Sequence, residues 1–113
     1  MKYSKLLAVC ASVATFATIA TGEVAPADVM FSDVGAVAVS LTGVAGDPVN
    51  GASIFKNRKK GNCLACHTNS DMMDQQFHGE VGPSLDGAGD RWEAAELRGL
   101  LTNSKNIFDG TMM

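Results

Sequence analysis

The hydrophobic and polar positions divide the chain into three unlike stretches. The first is an uncharged apolar run from Leu6 to Ala20. Lys2 and Lys5 precede it, and small residues follow at Ala20-Thr21-Gly22 and Ala25-Pro26-Ala27. A positive start, a short apolar segment and small residues in that order predict a secretory signal peptide over residues 1–22, cleaved after Gly22 or as late as Ala27. The alternative is a membrane-anchoring helix, but spanning a bilayer takes about 20 apolar residues and this run is shorter. No stable membrane insertion is therefore expected after cleavage. Cys10 lies inside the run. Leu7-Ala8-Val9-Cys10 only faintly resembles a lipoprotein box, so Cys10 is expected to leave with the leader.

The second stretch, residues 23–46, is rich in Val, Ala and Gly and has no helical period. Val37, Val39 and Leu41 alternate with small residues, the pattern of a short extended strand. This segment reads as an extended N-terminal arm lying over the domain or over a partner, with a disordered leader as the alternative. The third stretch, residues 47–113, carries the helical signals. Asp47 is placed to cap a helix that has Pro48 in its first turn and runs from about Val49 to Lys59, where Gly61-Asn62 stops it. Gly51, Ile54 and Phe55 give it one apolar stripe. A short helical turn is expected over Cys63–Cys66 and another within residues 71–77. His78 to Gly89 is a glycine- and proline-rich loop. Asp90 is placed to cap a last helix from Arg91 to Asn103 with Leu97, Leu100 and Leu101 as its buried stripe, and Ser104 to Met113 is loop.

Length and charge narrow the function classes. A chain of 113 residues holds one domain at most. Without residues 1–22 it keeps seven Lys/Arg against twelve Asp/Glu, a net charge of −5. That balance argues against nucleic acid as a partner, which would call for a basic stripe. The one basic run is Lys56-Asn57-Arg58-Lys59-Lys60. It reads either as a solvated helix end favoured by the helix dipole or as a docking patch for an acidic partner. The roughly 90 residues left after cleavage bury a thin core and need a staple. Cys63 and Cys66 make a poor structural disulfide, because the loop between them is too short to restrict the unfolded chain.

Cys63-Leu64-Ala65-Cys66-His67 explains the cysteines better. It is a CxxCH pentapeptide, the attachment signature of a c-type haem. Two thiols separated by two residues add across the two vinyl groups of one porphyrin, and the next residue brings an imidazole under the iron. A thioredoxin-like redox pair would need a βαβ context that the pattern lacks. A zinc site would need four ligands, and Cys63, Cys66 and His78 leave the fourth missing. A haem held by one histidine is either an open, reactive site or a closed electron carrier. One covalent haem c, with His67 on the metal, is the cofactor expected here.

The pentapeptide, Gly82-Pro83-Ser84-Leu85-Asp86-Gly87 and Gly110-Thr111-Met112-Met113 together resemble the class I cytochromes c. The resemblance implies a small all-α domain folded around the haem. It makes Met113 the sixth, metal-binding ligand; Met112, His78 and an open site remain as alternatives. It assigns the Pro83 carbonyl to the hydrogen bond that orients His67 and places Leu85 against the haem. Trp92 either points its N–H at a propionate or fills the core. Met72 and Met73 read as packing residues.

More specifically, Asn57 to His67 (NRKKGNCLACH), Phe77 to Gly87 (FHGEVGPSLDG) and Arg91-Trp92 resemble SoxX. This family comprises the small monohaem subunits of the SoxAX cytochromes of sulfur-oxidising bacteria. The resemblance covers residues 24–113. It implies a periplasmic electron-transfer subunit without a catalytic nucleophile of its own. Such a subunit would partner a SoxA-like cytochrome that couples thiosulfate oxidatively to a carrier-protein cysteine (an L-cysteine S-thiosulfotransferase complex), and would pass electrons to a downstream cytochrome. A free periplasmic cytochrome c shuttle and a haem-based ligand sensor with an open sixth position are the other functions compatible with the motifs. Members of the family continue past the axial methionine with a proline and a C-terminal helix. The domain at 47–113 is therefore expected to be truncated, leaving the Gly51 and Phe55 face of the first helix uncovered.

Overall fold

The computed structural model describes residues 22–113, so the signal peptide expected over residues 1–22 falls, apart from Gly22, outside the described residues. Among the described residues three α-helices follow one another: α1 (Pro48–Lys56), α2 (Ala88–Arg91) and α3 (Ala94–Asn103). Single 3-10 turns punctuate them at Pro26–Asp28, Cys63–Ala65, Ser70–Met72 and Ser104–Asn106. Among the described residues there is no strand, so the alternation at Val37, Val39 and Leu41 forms none. The fold is all-α.

α1 begins as its sequence dictates. Pro48 fixes the first turn, and Asp47 Oδ1 accepts from the Val49 and Asn50 amides at 2.9 and 3.0 Å. It ends at Lys56, three residues before the expected limit, because Asn57 competes for the next turn. The Asn57 side chain accepts from the Lys59 amide (2.9 Å), and its carbonyl accepts from the Lys60 and Asn62 amides (3.0 Å each). A short polar side chain that satisfies nearby backbone donors favours a turn over continued helix. No residue of α1 is buried, and a side chain at Gly51 would meet nothing. α1 packs against the Cys63–Ala65 turn.

The last helix starts later than expected. Asp90 lies inside α2 rather than capping a long helix, and the chain extends at Trp92 (φ −128°, ψ 135°). α3 then starts afresh with a capping box, in which the Glu96 carboxylate accepts from the Glu93 amide at 2.8 Å. The expected leucine stripe needs correction. Leu97 and Leu100 are half-buried, while Leu101 is 72% exposed. The face turned inward is Ala95, Arg98 and Gly99, at the i, i+3, i+4 spacing of neighbours on a helix.

The arm covers that face. The Val37 amide donates to the Ala95 carbonyl at 2.9 Å, and the Arg98 guanidinium donates to the Val37 carbonyl. Val37 has no exposed surface at all; among the described residues only Leu64 joins it as a buried apolar side chain. Backbone meets backbone where Gly35 lies on Gly99: a Cβ on Gly99 would overlap the Gly35 carbonyl oxygen. Gly35 itself turns through a positive φ of 77°, and a Cβ there would come within 2.7 Å of the Asn106 carbonyl oxygen. Among the described residues no helix is long and apolar enough to cross a membrane.

The arm contact makes a simple prediction. Gly99→Ala forces the arm off α3 and destabilises the protein by about 1–3 kcal/mol, the usual cost of overpacking. The readout is a lower urea midpoint together with faster proteolysis between residues 30 and 46; an unchanged midpoint would refute the close packing.

Candidate functional site

After α1 the chain reverses through Asn62, which holds a left-handed backbone (φ 54°) that asparagine tolerates better than most residues. The Cys63–Ala65 turn follows. The Cys66 and His67 amides both donate to the Cys63 carbonyl, at 3.2 and 3.0 Å. Leu64, 6% exposed, points inward and anchors the turn, which leaves Cys63 half-buried and Cys66 exposed. Both are free thiols. Burial pushes the Cys63 thiol up from its ordinary value, against a smaller opposing effect of a backbone hydrogen bond.

The glycine-rich loop runs alongside this turn and is tied to it rung by rung. Gly79 N donates to Leu64 O (2.8 Å), Gly82 N to Cys66 O (2.7 Å) and Leu85 N to Thr68 O (3.0 Å). The two backbones come so close that a Cβ on Gly79 would overlap the Ala65 carbonyl, and one on Gly82 would overlap the His67 ring. Gly79 lets the two backbones meet, and Gly82 leaves the imidazole its space. His67 Nδ1 lies 2.7 Å from the Pro83 carbonyl oxygen. A carbonyl only accepts, so Nδ1 carries the proton and Nε2 keeps a free lone pair. A ligating imidazole is usually oriented and made more basic in this way.

His78 is occupied differently. Its Nδ1 accepts from the Asn69 amide (3.2 Å), which makes Nε2 a donor to the Met72 carbonyl (3.1 Å). With both ring nitrogens committed, His78 has none left for a metal.

The pattern along the chain did not single out the residues that fasten the Pro83 loop. Asp86 Oδ1 accepts from the Ser70 amide at 2.7 Å, and the Asp86 amide donates to Ser84 Oγ at 3.2 Å. Arg91 donates to the carbonyls of Asp86 and Ser84. The Ser70 amide holds the Asp86 carboxyl below its ordinary value, with Ser84 and Arg91 adding smaller effects. Asp86 sits in the quoted glycine-proline loop, yet its partner sixteen positions away leaves no local signal.

Other expected residues are placed by separate contacts. Leu85 is half-buried beside Thr68. Trp92, half-buried, packs edge-on against Phe108, with ring centroids 5.7 Å apart and planes at 86°. Met113 is held through its backbone: the buried Ser104 hydroxyl donates to its carbonyl at 2.8 Å, and its amide donates to Thr111 Oγ1 at 3.3 Å. Met113 is 54% exposed, and Met112 87%. Among the described residues no three His, Cys, Asp or Glu side chains converge as a metal-binding cluster. The donor set is instead that of a c-type haem: two free thiols on one turn, and next to them an imidazole with Nδ1 tied and Nε2 free.

Fold and donors together define a small helical haem protein of the c-type cytochrome class. The cytochrome c family model matches residues 48–112, more than half of the chain, and the chain belongs to that family, with a covalently bound c-type haem as its cofactor. Among solved structures it is similar to the crystal structure of SoxXA from P. pantotrophus. The identity is 47% and the TM-score 0.79, over 81% of this chain and 66% of that one. The chain thus spans just under two thirds of the solved chain's length. No curated protein matches.

Two outcomes test the site. Gly82→Ala displaces the His67 ring and costs about 1–3 kcal/mol of stability by overpacking, read as a drop in thermal midpoint; an unchanged midpoint would mean the loop lies elsewhere. For Asp86, the folded carboxyl titrates lower than the unfolded one. Its contribution to stability is therefore full above the unfolded value of about 4 and disappears as pH falls through the folded value. Urea titrations of wild type and Asp86→Ala should differ at pH 7, and the gap should shrink as the pH is lowered through the carboxylate range; a gap that stays constant on acidification would exclude the carboxylate.

Proposed function

We propose that this chain is a SoxX-like electron-transfer cytochrome that works in the periplasm, paired with a SoxA-like cytochrome. The Cys63 and Cys66 thiols would hold the haem as thioethers, His67 Nε2 would be the proximal ligand and Met113 the sixth ligand. When bound, a c-type haem supplies a one-electron couple between ferric and ferrous iron. The protein's share is orientation and environment. Pro83 holds the proton on His67 Nδ1 and so fixes which nitrogen faces the metal. Gly79 and Gly82 keep the loop close, Leu85 and Trp92 add apolar surface, and Ser104 places the Met113 backbone.

The observation that carries this reading is the 2.7 Å pairing of His67 with Pro83 directly beside two free thiols. The specific likeness to SoxX rests on the 47% identity to the SoxXA structure. Electrons released when a SoxA-like partner couples thiosulfate to a carrier-protein cysteine would enter here and leave to another cytochrome. Export follows from the charge and small-residue pattern around the apolar leader, since thioether attachment and such partners belong outside the cytoplasm.

Produced in a host equipped for haem maturation, the exported protein should carry the mass of one haem. It should form a stable complex with a SoxA-like cytochrome that is reduced by thiosulfate in the presence of the carrier. Met113→Leu should remove the far-red sulfur-to-iron absorption band of the oxidised protein and lower the reduction potential, since a thioether favours ferrous iron. Rapid carbon monoxide binding by the reduced wild type would show an open sixth position and overturn Met113 as ligand.

A further inference from the structure

The segment that carries the terminal methionine leans on the N-terminal arm. Gly35 lies against the turn that follows α3: a Cβ on it would come within 2.7 Å of both the Asn106 carbonyl oxygen and Ile107 Cγ1. That turn starts at Ser104, whose carbonyl accepts from the Ile107 and Phe108 amides at 3.1 and 2.9 Å. The arm meets it as a closed loop. The Gly35 amide donates to the Ser32 carbonyl (2.9 Å), the Ala36 amide to Ser32 Oγ (3.0 Å) and the Ser32 amide to the Ala36 carbonyl (2.9 Å). One residue further on, both polar groups of Val37 are spent on Ala95 and Arg98 of α3. The arm is therefore fastened on one side of Gly35 by its own loop and on the other by the helix.

Ser104 is the one buried polar side chain among the described residues, at 6% exposure. Alanine would fill that place with no polar group to satisfy, so a hydroxyl there calls for a partner. Its partner is the Met113 carbonyl, nine positions on, at 2.8 Å. The other hydrogen bonds of the segment stay within it: the Met113 amide donates to Thr111 Oγ1 and the Thr111 amide to the Phe108 carbonyl, both at 3.3 Å. A Cβ on Gly110 would meet nothing. The Ser104 hydroxyl is thus the contact that ties residue 113 back to the end of α3.

We infer that the arm and Ser104 form one positioning device for the sixth ligand: the arm, seated on α3 and on the Asn106–Ile107 turn, holds the buried Ser104 hydroxyl where it retains Met113. With the arm seated, the methionine stays within reach of the haem. With the arm lifted, the turn opens, water competes for the hydroxyl and the methionine is released. The arm and Ser104 act through Met113, so both are positioning elements. The inference rests on the reading of Met113 as sixth ligand.

Imidazole tests it on the oxidised, haem-loaded protein. It takes the sixth position only after the methionine has left, so its apparent affinity reads how often the segment lets go. Ser104→Ala and Gly35→Ala should each bind imidazole roughly fivefold tighter, the size of one net hydrogen bond. The double variant should bind no tighter than the tighter single, because both changes act through one hydroxyl. Asp47→Ala removes the cap of α1, far along the chain from the latch. It should lower the urea midpoint and leave imidazole affinity as in wild type. Should Gly35→Ala not yield haem-loaded protein, Arg98→Gln, which removes the donor to the Val37 carbonyl, replaces it with the same expectation. Wild-type affinity in either single variant, additive gains in the double, or an equal gain in Asp47→Ala overturns the inference. Met113→Leu separates it from the reading on which it rests. If Met113→Leu and wild type bind imidazole equally, Met113 is not the ligand, and amide hydrogen exchange at Thr111 and Met113 decides. Faster exchange in both the Ser104 and the arm variant then supports the coupling of arm, Ser104 and segment, and unchanged exchange in either overturns it.

Discussion

The structure depends on one proton being held in one place. His67 presents the lone pair of Nε2 because the Pro83 carbonyl accepts a hydrogen bond from Nδ1–H, and Pro83 can reach it only because two stretches of backbone lie almost in contact. Rungs from Gly79, Gly82 and Leu85 to residues 64, 66 and 68 set that contact, and Asp86 closes it on the Ser70 amide. Each rung pairs a donor with an acceptor that would otherwise be left unpaired in the folded chain. The glycines that permit the approach and the carbonyl that exploits it are therefore parts of a single device. A side chain at Gly82 would remove the ring's space as surely as losing Pro83 would remove its partner.

The rest of the molecule keeps that device in position with little apolar burial. Val37 and Leu64 are the buried apolar residues among those described, one under the arm and one under the cysteine turn. A domain of this size has little interior to spare, so backbone hydrogen bonds and close glycine contacts take a larger share than in bigger proteins. The arm is one example, since it is fixed to α3 through both polar groups of Val37 and through the meeting of Gly35 with Gly99. Trp92 and Phe108 join the segment after α3 to the break before it. That segment, through Ser104, positions the backbone of the terminal methionine.

Charge follows a different logic from packing. No Asp or Glu falls between Asp47 and Asp71 in the chain, and the one ion pair among the described residues links Lys56 to Asp74. The Gln75 amide donates to Asp74 at 2.9 Å and, ahead of Lys56, holds its carboxyl below the ordinary value. The turn beyond α1 thus keeps its cations unpaired next to the cysteine turn. A small protein whose net charge is negative presents a positive face at the place where its cofactor is tethered.

The sequence by itself determined the chemistry that adjacent residues share. The spacing of Cys63, Cys66 and His67 identified the cofactor, and Asp47-Pro48 marked the start of α1, because each signal is complete within a few positions; Pro83 was reached through the resemblance of the Gly82–Gly87 segment to the class I cytochromes c. The sequence also held the competing signals that it could not rank. Asn57 cut α1 short, Glu93 and Glu96 outbid Asp90 as a cap, and Val37 spent its hydrogen bonds on α3 instead of a strand. Leu101 stayed outside because the arm selected Ala95, Arg98 and Gly99 as the inner face. Asp86, Arg91 and the engagement of His78 were decided only in three dimensions. Their partners lie several to many positions away in the chain, and a hydrogen bond between distant residues has no period or spacing by which it could be read beforehand.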